Sequence, residues 1–244
     1  MERRFTVAEH LDEMRYRVIV SLIALGIATV ASIPFAPYIL AMLKSPAAGV
    51  INKLAFFGPE EAFMIYMRVS FVAGIFISFP IIAYQIWAFV APAIGGNFKK
   101  YIIYFLFSTS FVFATGCLFA YFMLIPNALK FLLNIGQGEL EPVISATRYI
   151  SFTTFLIIAC GLVFQMPILA FFLTKVGLMN AKVLRKNFKY ALIIIFVLAA
   201  VITPTGDAFN MLALALPMLF LYEVSIWVSW AAGFSRKEYG YGKR

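Results

Sequence analysis

The sequence predicts an all-α polytopic membrane protein of six transmembrane helices, and three observations carry that prediction. Hydrophobic residues make up 63% of the 244 residues and charged residues 13%, against about 25% charged in a soluble domain. A water-soluble fold of this length cannot hide so much apolar side chain. The apolar residues fall in long continuous runs, where a barrel strand would alternate, and lipid admits only helices and closed barrels as spanning structures. Finally, the basic residues are confined to short blocks beside the runs. The composition excludes a disordered chain and a disulfide-built secreted domain. Cys117 and Cys160 both sit inside apolar runs, so neither a disulfide framework nor a cysteine metal site has support.

A spanning helix needs roughly 20 apolar residues. The whole chain, 1–244, reads as one transmembrane domain with spans near 18–38, 63–90, 101–125, 150–173, 190–202 and 208–231. Pro80, Pro167 and Pro217 fall inside spans 2, 4 and 6, and each removes a backbone hydrogen bond. The bent spans are expected to form a concave face, although kinks are also ordinary in membrane helices. Span 5 is short: its apolar core, Ala191 to Ile202, makes roughly 18 Å of helix against a hydrocarbon core about 30 Å thick. Thr203-Pro204-Thr205-Gly206-Asp207 then turns the chain into span 6, with Asp207 placed to cap it. Spans 5 and 6 therefore predict a hairpin that thins the bilayer locally. Its edge, marked by Val197, Thr203, Thr205, Asp207 and Met211, is an expected docking edge for another protein. The loops at 41–61 and 127–148 are long and the others short, so one face is expected to carry an ordered cap.

Orientation follows from charge. The N-terminus, loop 2–3, loop 4–5 and the C-terminus hold 15 of the 20 Lys and Arg residues. The opposite loops hold Lys44, Lys53, Lys130 and Arg148, with Arg68 just inside span 2. The positive-inside rule puts both termini in the cytoplasm. The net charge of +9 thus reads as topology, and no nucleic-acid partner is expected. Arg3-Arg4-Phe5 looks like a twin-arginine export signal, but Glu9, Asp12 and Glu13 separate it from the apolar run. No small-residue cleavage site follows span 1, so the segment reads as a mature cytoplasmic end.

No catalytic constellation is visible. HExxH, G-x-S-x-G and Walker patterns are missing, and His10 has no partner at metal-ligand spacing, so neither enzyme activity, cofactor nor metal is expected. Polar groups at membrane depth are candidates by default. Glu223 in span 6 reads either as functional or as a hydrogen-bonded structural carboxyl. Gln165, near the midplane of span 4, reads as a functional amide or as interhelical glue. Arg68 is close enough to the surface to snorkel. Ahead of span 1, Glu9, Asp12 and Glu13 are spaced i, i+3, i+4, which puts three carboxylates on one helical face. That face either recognises a cation or pairs internally, as Glu13 with Arg17 at i+4.

These residues carry a family resemblance. His10-Leu11-Asp12-Glu13-Met14-Arg15 resembles the His-Leu-x-Glu-Leu-Arg opening of TatC, the six-span core subunit of the twin-arginine translocase. The resemblance continues through Leu43-Lys44-Ser45-Pro46, Glu61-Ala62-Phe63, the stretch from Pro80 to Ala93, Ile202 to Asp207, and Leu216 to Glu223. It implies a receptor rather than an enzyme, resident in the bacterial cytoplasmic (inner) membrane. Such a receptor binds twin-arginine signal peptides of folded cargo at the cytoplasmic face. It assembles with TatA- and TatB-type single-span proteins, and with further copies of itself in a receptor complex, and moves cargo with the proton-motive force. By motif the signal-binding glutamate falls on Glu13, with Arg15 beside it and Glu9 and Asp12 on the same face. The loop 2–3 part falls on Phe89, Pro92, Ala93 and Ile94, and structural positions on Pro46, Phe63 and Pro80. Two places depart from the family pattern: Phe98 stands where a loop 2–3 glutamate is usual, and Phe164-Gln165-Met166-Pro167 replaces Phe-Glu-x-Pro. The physics suits the role, since adjacent guanidinium forks match carboxylates bidentately where lysine offers a point charge. The alternative, a small-solute secondary transporter, needs polar half-helices converging at the midplane, for which Gln165 and Glu223 are thin material.

Overall fold

A computed structural model describes residues 7–47, 54–94, 102–135, 143–203 and 208–238. The described residues are almost entirely helical: α1 (Val7–Ser32), α2 (Ala36–Lys44), α3 (Pro59–Ile94), α4 (Ile102–Phe119), α5 (Ile125–Ile135), α6 (Ala146–Val163), α7 (Met166–Val176), α8 (Ala181–Lys186), α9 (Phe188–Ile202) and α10 (Ala208–Glu238). Among the described residues, five apolar helical stretches are long enough to cross a membrane: Leu11–Ala47, Pro59–Val90, Ile103–Leu133, Ala146–Val176 and Asn210–Gly233. Helix α9 is the shorter sixth, and its 15 residues reach roughly 22 Å, short of a hydrocarbon core as the sequence predicts. The chain divides into two compact units, Met1–Ser45 with Phe56–Phe111, and Pro46–Ala55 with Val112–Arg244.

The first unit is built on α1 against α3. Between them Gly74 gives up its side chain to backbone approach: a Cβ there would lie 2.3 Å from Thr29 Oγ1 and 2.8 Å from the Thr29 Cα. Small residues let helices approach where lipid offers no hydrophobic drive to associate. Ala28, Ser32, Val69, Ser70, Val72, Ser78 and Ala83 are buried. Ser32, Ser70 and Ser78 donate to the carbonyls of Ala28, Tyr66 and Gly74 on their own helices at 2.7–2.8 Å, which satisfies each buried hydroxyl locally. Pro59 opens α3 with Glu60 and Glu61 in its first turn, the charge sign that suits a helix N-terminus. At the other end of α3, Trp87 Nε1 donates to Thr109 Oγ1 of α4 at 3.0 Å in a buried setting. The same indole stacks at a tilt on Phe105, with ring centres 5.0 Å apart.

In the second unit α4 and α6 cross through two glycines. A Cβ on Gly116 would meet the Cys160 carbonyl at 2.7 Å, and one on Gly161 would meet Phe113 at 2.6 Å and Cys117 Sγ at 2.7 Å. After α4 a π-turn at Ala120–Leu124 leads into α5. The third span accordingly runs to Leu133, past the Ile125 limit set from hydropathy. The wide turn stands immediately ahead of Pro126, which has no N–H for a regular helical bond. The two long loops contribute β1 (Leu54–Ala55) and β2 (Ile144–Ser145), paired in parallel as Leu54↔Ile144 and Ala55↔Ser145.

The prolines act differently. The chain around Pro167 breaks into α6 and α7 at Phe164–Gln165, whereas α3 and α10 run on through Pro80 and Pro217. Gly177, with φ 91°, ends α7: its N–H and that of Leu178 both return to the Leu173 carbonyl, a left-handed stop that glycine adopts without penalty. Asn180 then caps α8 by accepting from the Val183 N–H at 2.9 Å.

Candidate functional site

The N-terminal end of α1 and the C-terminal end of α3 meet through Arg17. Its Nε donates to Glu13 Oε1 at 3.2 Å, Nη2 donates to the same oxygen, and Nη1 reaches Gln85 Oε1 of α3 at 3.4 Å. Arg17 and Glu13 are one helical turn apart, as the i, i+4 spacing requires, and their side chains keep 20% and 27% of their exposure. Asp12 and Arg15 are exposed beside them.

Two fixed points set the register of this antiparallel pair. Thr29 lies against Gly74 and Arg17 against Gln85. The steps between them, twelve residues along α1 and eleven along α3, are nearly equal lengths of helix, about 17–18 Å. Carried one further turn, the register sets Glu13 level with Phe89 and Val90, and the backbone of Glu9 level with the last turn of α3, where Pro92, Ala93 and Ile94 lie. The acidic face of α1 and the aromatic end of α3, 76 residues apart in sequence between Glu13 and Phe89, therefore stand at one level of the first unit. Phe89 is half-buried. The Trp87–Thr109 bond holds this end of α3 to α4, which fixes where loop 2–3 leaves and returns. The side chains of Glu9, Pro92, Ala93 and Ile94 lie outside the described residues, as does Phe98 altogether.

The other sequence candidates fall elsewhere. Gln165 sits at the α6–α7 break, half-buried, with its side-chain Nε2 donating to the Gly161 carbonyl at 3.5 Å and its backbone carbonyl accepting from Leu169 N–H at 2.9 Å. Glu223 is taken by a cation: Arg185 Nη1 donates to Oε1 at 3.1 Å and to Oε2 at 3.4 Å. The neighbouring Tyr222 hydroxyl donates to the Leu184 carbonyl at 2.9 Å, so α8 is fastened to α10 by consecutive residues. Sequence reading found Glu223 but not Arg185, since the two stand 38 residues apart. One turn and a half further along α10, the hydroxyls of Ser229 and Thr174 of α7 are hydrogen-bonded at 2.7 Å. On the short hairpin, Val197 is exposed and Met211 half-buried. Thr203 is buried and its hydroxyl donates to the Ala199 carbonyl at 2.7 Å, so it closes its own helix rather than facing outward. Thr205 and Asp207 lie outside the described residues. Among the structural positions, Pro46 and Pro80 are half-buried, while Phe63 is 63% exposed and adds nothing to the core. Arg68 is exposed.

Helices of spanning length and one short apolar helix define the class: a polytopic membrane protein. The family model described as Sec-independent protein translocase protein (TatC) matches residues 9–217. The chain is 36% identical to the Sec-independent protein translocase protein TatC of Carboxydothermus hydrogenoformans, over 93% of this chain and 94% of the relative. It is 38% identical to the same protein of Aquifex aeolicus, over 95% and 98%. A crystal structure of the twin arginine translocase receptor TatC superposes with a TM-score of 0.82 at 37% identity, covering 92% of this chain and 99% of that one. The chain belongs to the TatC family, a family of protein-translocase components and not of enzymes.

Proposed function

We propose that this chain is the receptor and core subunit of a twin-arginine translocase, binding the arginine pair of a signal peptide at the level of Glu13. The single observation that carries the reading is the register of α1 on α3, which brings a carboxylate face beside the half-buried Phe89. A guanidinium pair finds anionic acceptors in Glu13, Asp12 and Glu9. The apolar part of a signal finds Phe89, Pro92 and Ile94, with Arg15 flanking the acids and setting the approach. Glu13 is the main contact, because it alone of the described acids on this face is partly desolvated, and charge-assisted hydrogen bonds strengthen as water is removed.

The same reading places both termini and the basic loops in the cytoplasm of a bacterium, with the chain in the inner membrane. Partners of TatA and TatB type dock on the outward apolar side of α9, around Val197, and on Met211 across the hairpin. Thr203, Thr205 and Asp207 belong to the same proposed docking edge. Gln165 offers an amide, and Glu223 a carboxylate, to the working complex, in which several copies of the chain assemble and the proton-motive force drives cargo across.

Binding of a labelled twin-arginine peptide and its twin-lysine counterpart to detergent-purified protein tests the receptor role. Discrimination between the two should fall in Glu13→Ala with expression unchanged. Equal affinity of the unaltered protein for both peptides would remove the reading.

A further inference from the structure

The second unit carries an open cavity of about 500 Å³ between α8 and the far end of α10. Lys182, Arg185 and Lys186 line one wall, and Ile226, Trp227 and Trp230 the other. The two walls differ in kind. The first is cationic, and both lysines are exposed. The second is aromatic: Trp227 and Trp230 are 63% and 67% exposed, six and three residues before the apolar stretch of α10 ends at Gly233. Tryptophan gathers at the depth where acyl chains give way to headgroups. The buried Ile226 forms the floor.

We propose that this cavity is a binding site for the headgroup of an anionic phospholipid, with the phosphodiester held by Lys182 and Lys186 and the acyl chains running along Trp227 and Trp230. Charge complementarity supplies the argument for that occupant, because basic pockets between membrane helices suit anionic headgroups. Depth supplies the second, since one wall lies within a membrane span and the other on the short helix between two spans. Glu223 tunes the site. Its carboxylate holds Arg185 at 3.1 Å, so the guanidinium is partly neutralised and the two lysines carry most of the attraction. The staple of Tyr222 on the Leu184 carbonyl keeps the cationic wall at a fixed distance from the aromatic one. A polar soluble peptide has no use for two exposed indoles within a span; a lipid uses both walls.

Tryptophan quenching by bromine-labelled lipid reads the site directly, because two of the three tryptophans line it and the buried Trp87 gives a constant background. The full-length protein is reconstituted with trace dibrominated phosphatidylglycerol or dibrominated phosphatidylcholine in unlabelled phosphatidylcholine. The anionic lipid should quench preferentially. Lys182→Gln with Lys186→Gln should lower that preference about 25-fold, at about fivefold per lysine, and Lys130→Gln, elsewhere on the surface, should leave it unchanged. Glu223→Gln, which frees Arg185, should raise it by up to about fivefold, a gain that a misfolded variant cannot produce. Equal quenching by the two lipids, an unchanged preference in the double lysine variant, or no rise in Glu223→Gln overturns the proposal. Displacement of the anionic lipid by inorganic phosphate in solution would instead make this a small-anion site, and would overturn it as well.

Discussion

Arg17 already holds Glu13, and under the proposed receptor role that sets an unusual expectation for its removal. Both bonds from Arg17 fall on Glu13 Oε1, so an incoming guanidinium that engages the carboxylate bidentately has to share or displace Arg17. The resident pair is about a quarter exposed at each end, and such a pair is worth up to about 1 kcal/mol. A new charge-assisted bond from a signal arginine contributes about 1.5–3 kcal/mol. The net gain from Glu13 is then about 0.5–2 kcal/mol, so Glu13→Ala should weaken twin-arginine peptide binding roughly two- to thirtyfold at about 1.4 kcal/mol per decade. Arg17→Gln removes the competitor and should tighten binding, by up to about fivefold. Fluorescence anisotropy of a labelled peptide titrated with the purified variants measures both. If Arg17→Gln instead weakens binding as much as Glu13→Ala, the pair is a fastening between α1 and α3, and the competition argument is refuted.

Other expectations follow from the packing and the hairpin. Gly74→Val forces a side chain into the Thr29 backbone and should cost about 1–3 kcal/mol or more, seen as a lower melting temperature in detergent. Gly26→Val, where nothing lies within 4 Å, should melt within a degree or two of the unaltered protein. Gln165→Glu should fold and keep or raise transport; transport unchanged in Gln165→Leu as well would reduce the residue to packing. A photo-crosslinker at the exposed Val197 should capture a single-span partner, and capture only from Phe107 would move the docking edge. A single cysteine in place of the exposed Asn187 should resist labelling from outside intact cells, and outside labelling would reverse the proposed orientation.

The spans were legible because hydropathy reports how long an apolar run is, and run length alone separates the long helices from the short α9. The break at Phe164–Gln165 was legible from Pro167. What hydropathy conceals is helix that continues after the apolar run stops. Asn127 and Lys130 end the apolar reading of span 3, yet α5 carries the helix on because Ala128 and Leu129 are buried on its inner side. The short α8 was invisible for the same reason: five basic or polar residues around Leu184 read as a loop, and only Asn180 hints at a cap. At the candidate site, the carboxylate spacing on α1 gave the face and its i, i+4 partner. Gln85 and the level of Phe89 depend on how two helices slide along one another, and that register is fixed by Gly74 against Thr29, a fit of shapes that no single-chain pattern encodes.

The two-residue pairing of β1 with β2 has a consequence for how the protein is made. Its strands are 90 residues apart, Leu54 beside Ile144, and two spanning stretches, Pro59–Val90 and Ile103–Leu133, lie between them. An insertion machine that delivers helices in order from the N-terminus therefore leaves β1 waiting, with an open edge, until the segment carrying β2 has been made. So non-local a contact forms late, because the entropy of closing the intervening chain must be met first. Until then the segment at 54–55 is a recognisable unfinished feature, open to chaperones or proteases, and its closure has to wait for the two spanning stretches between the strands.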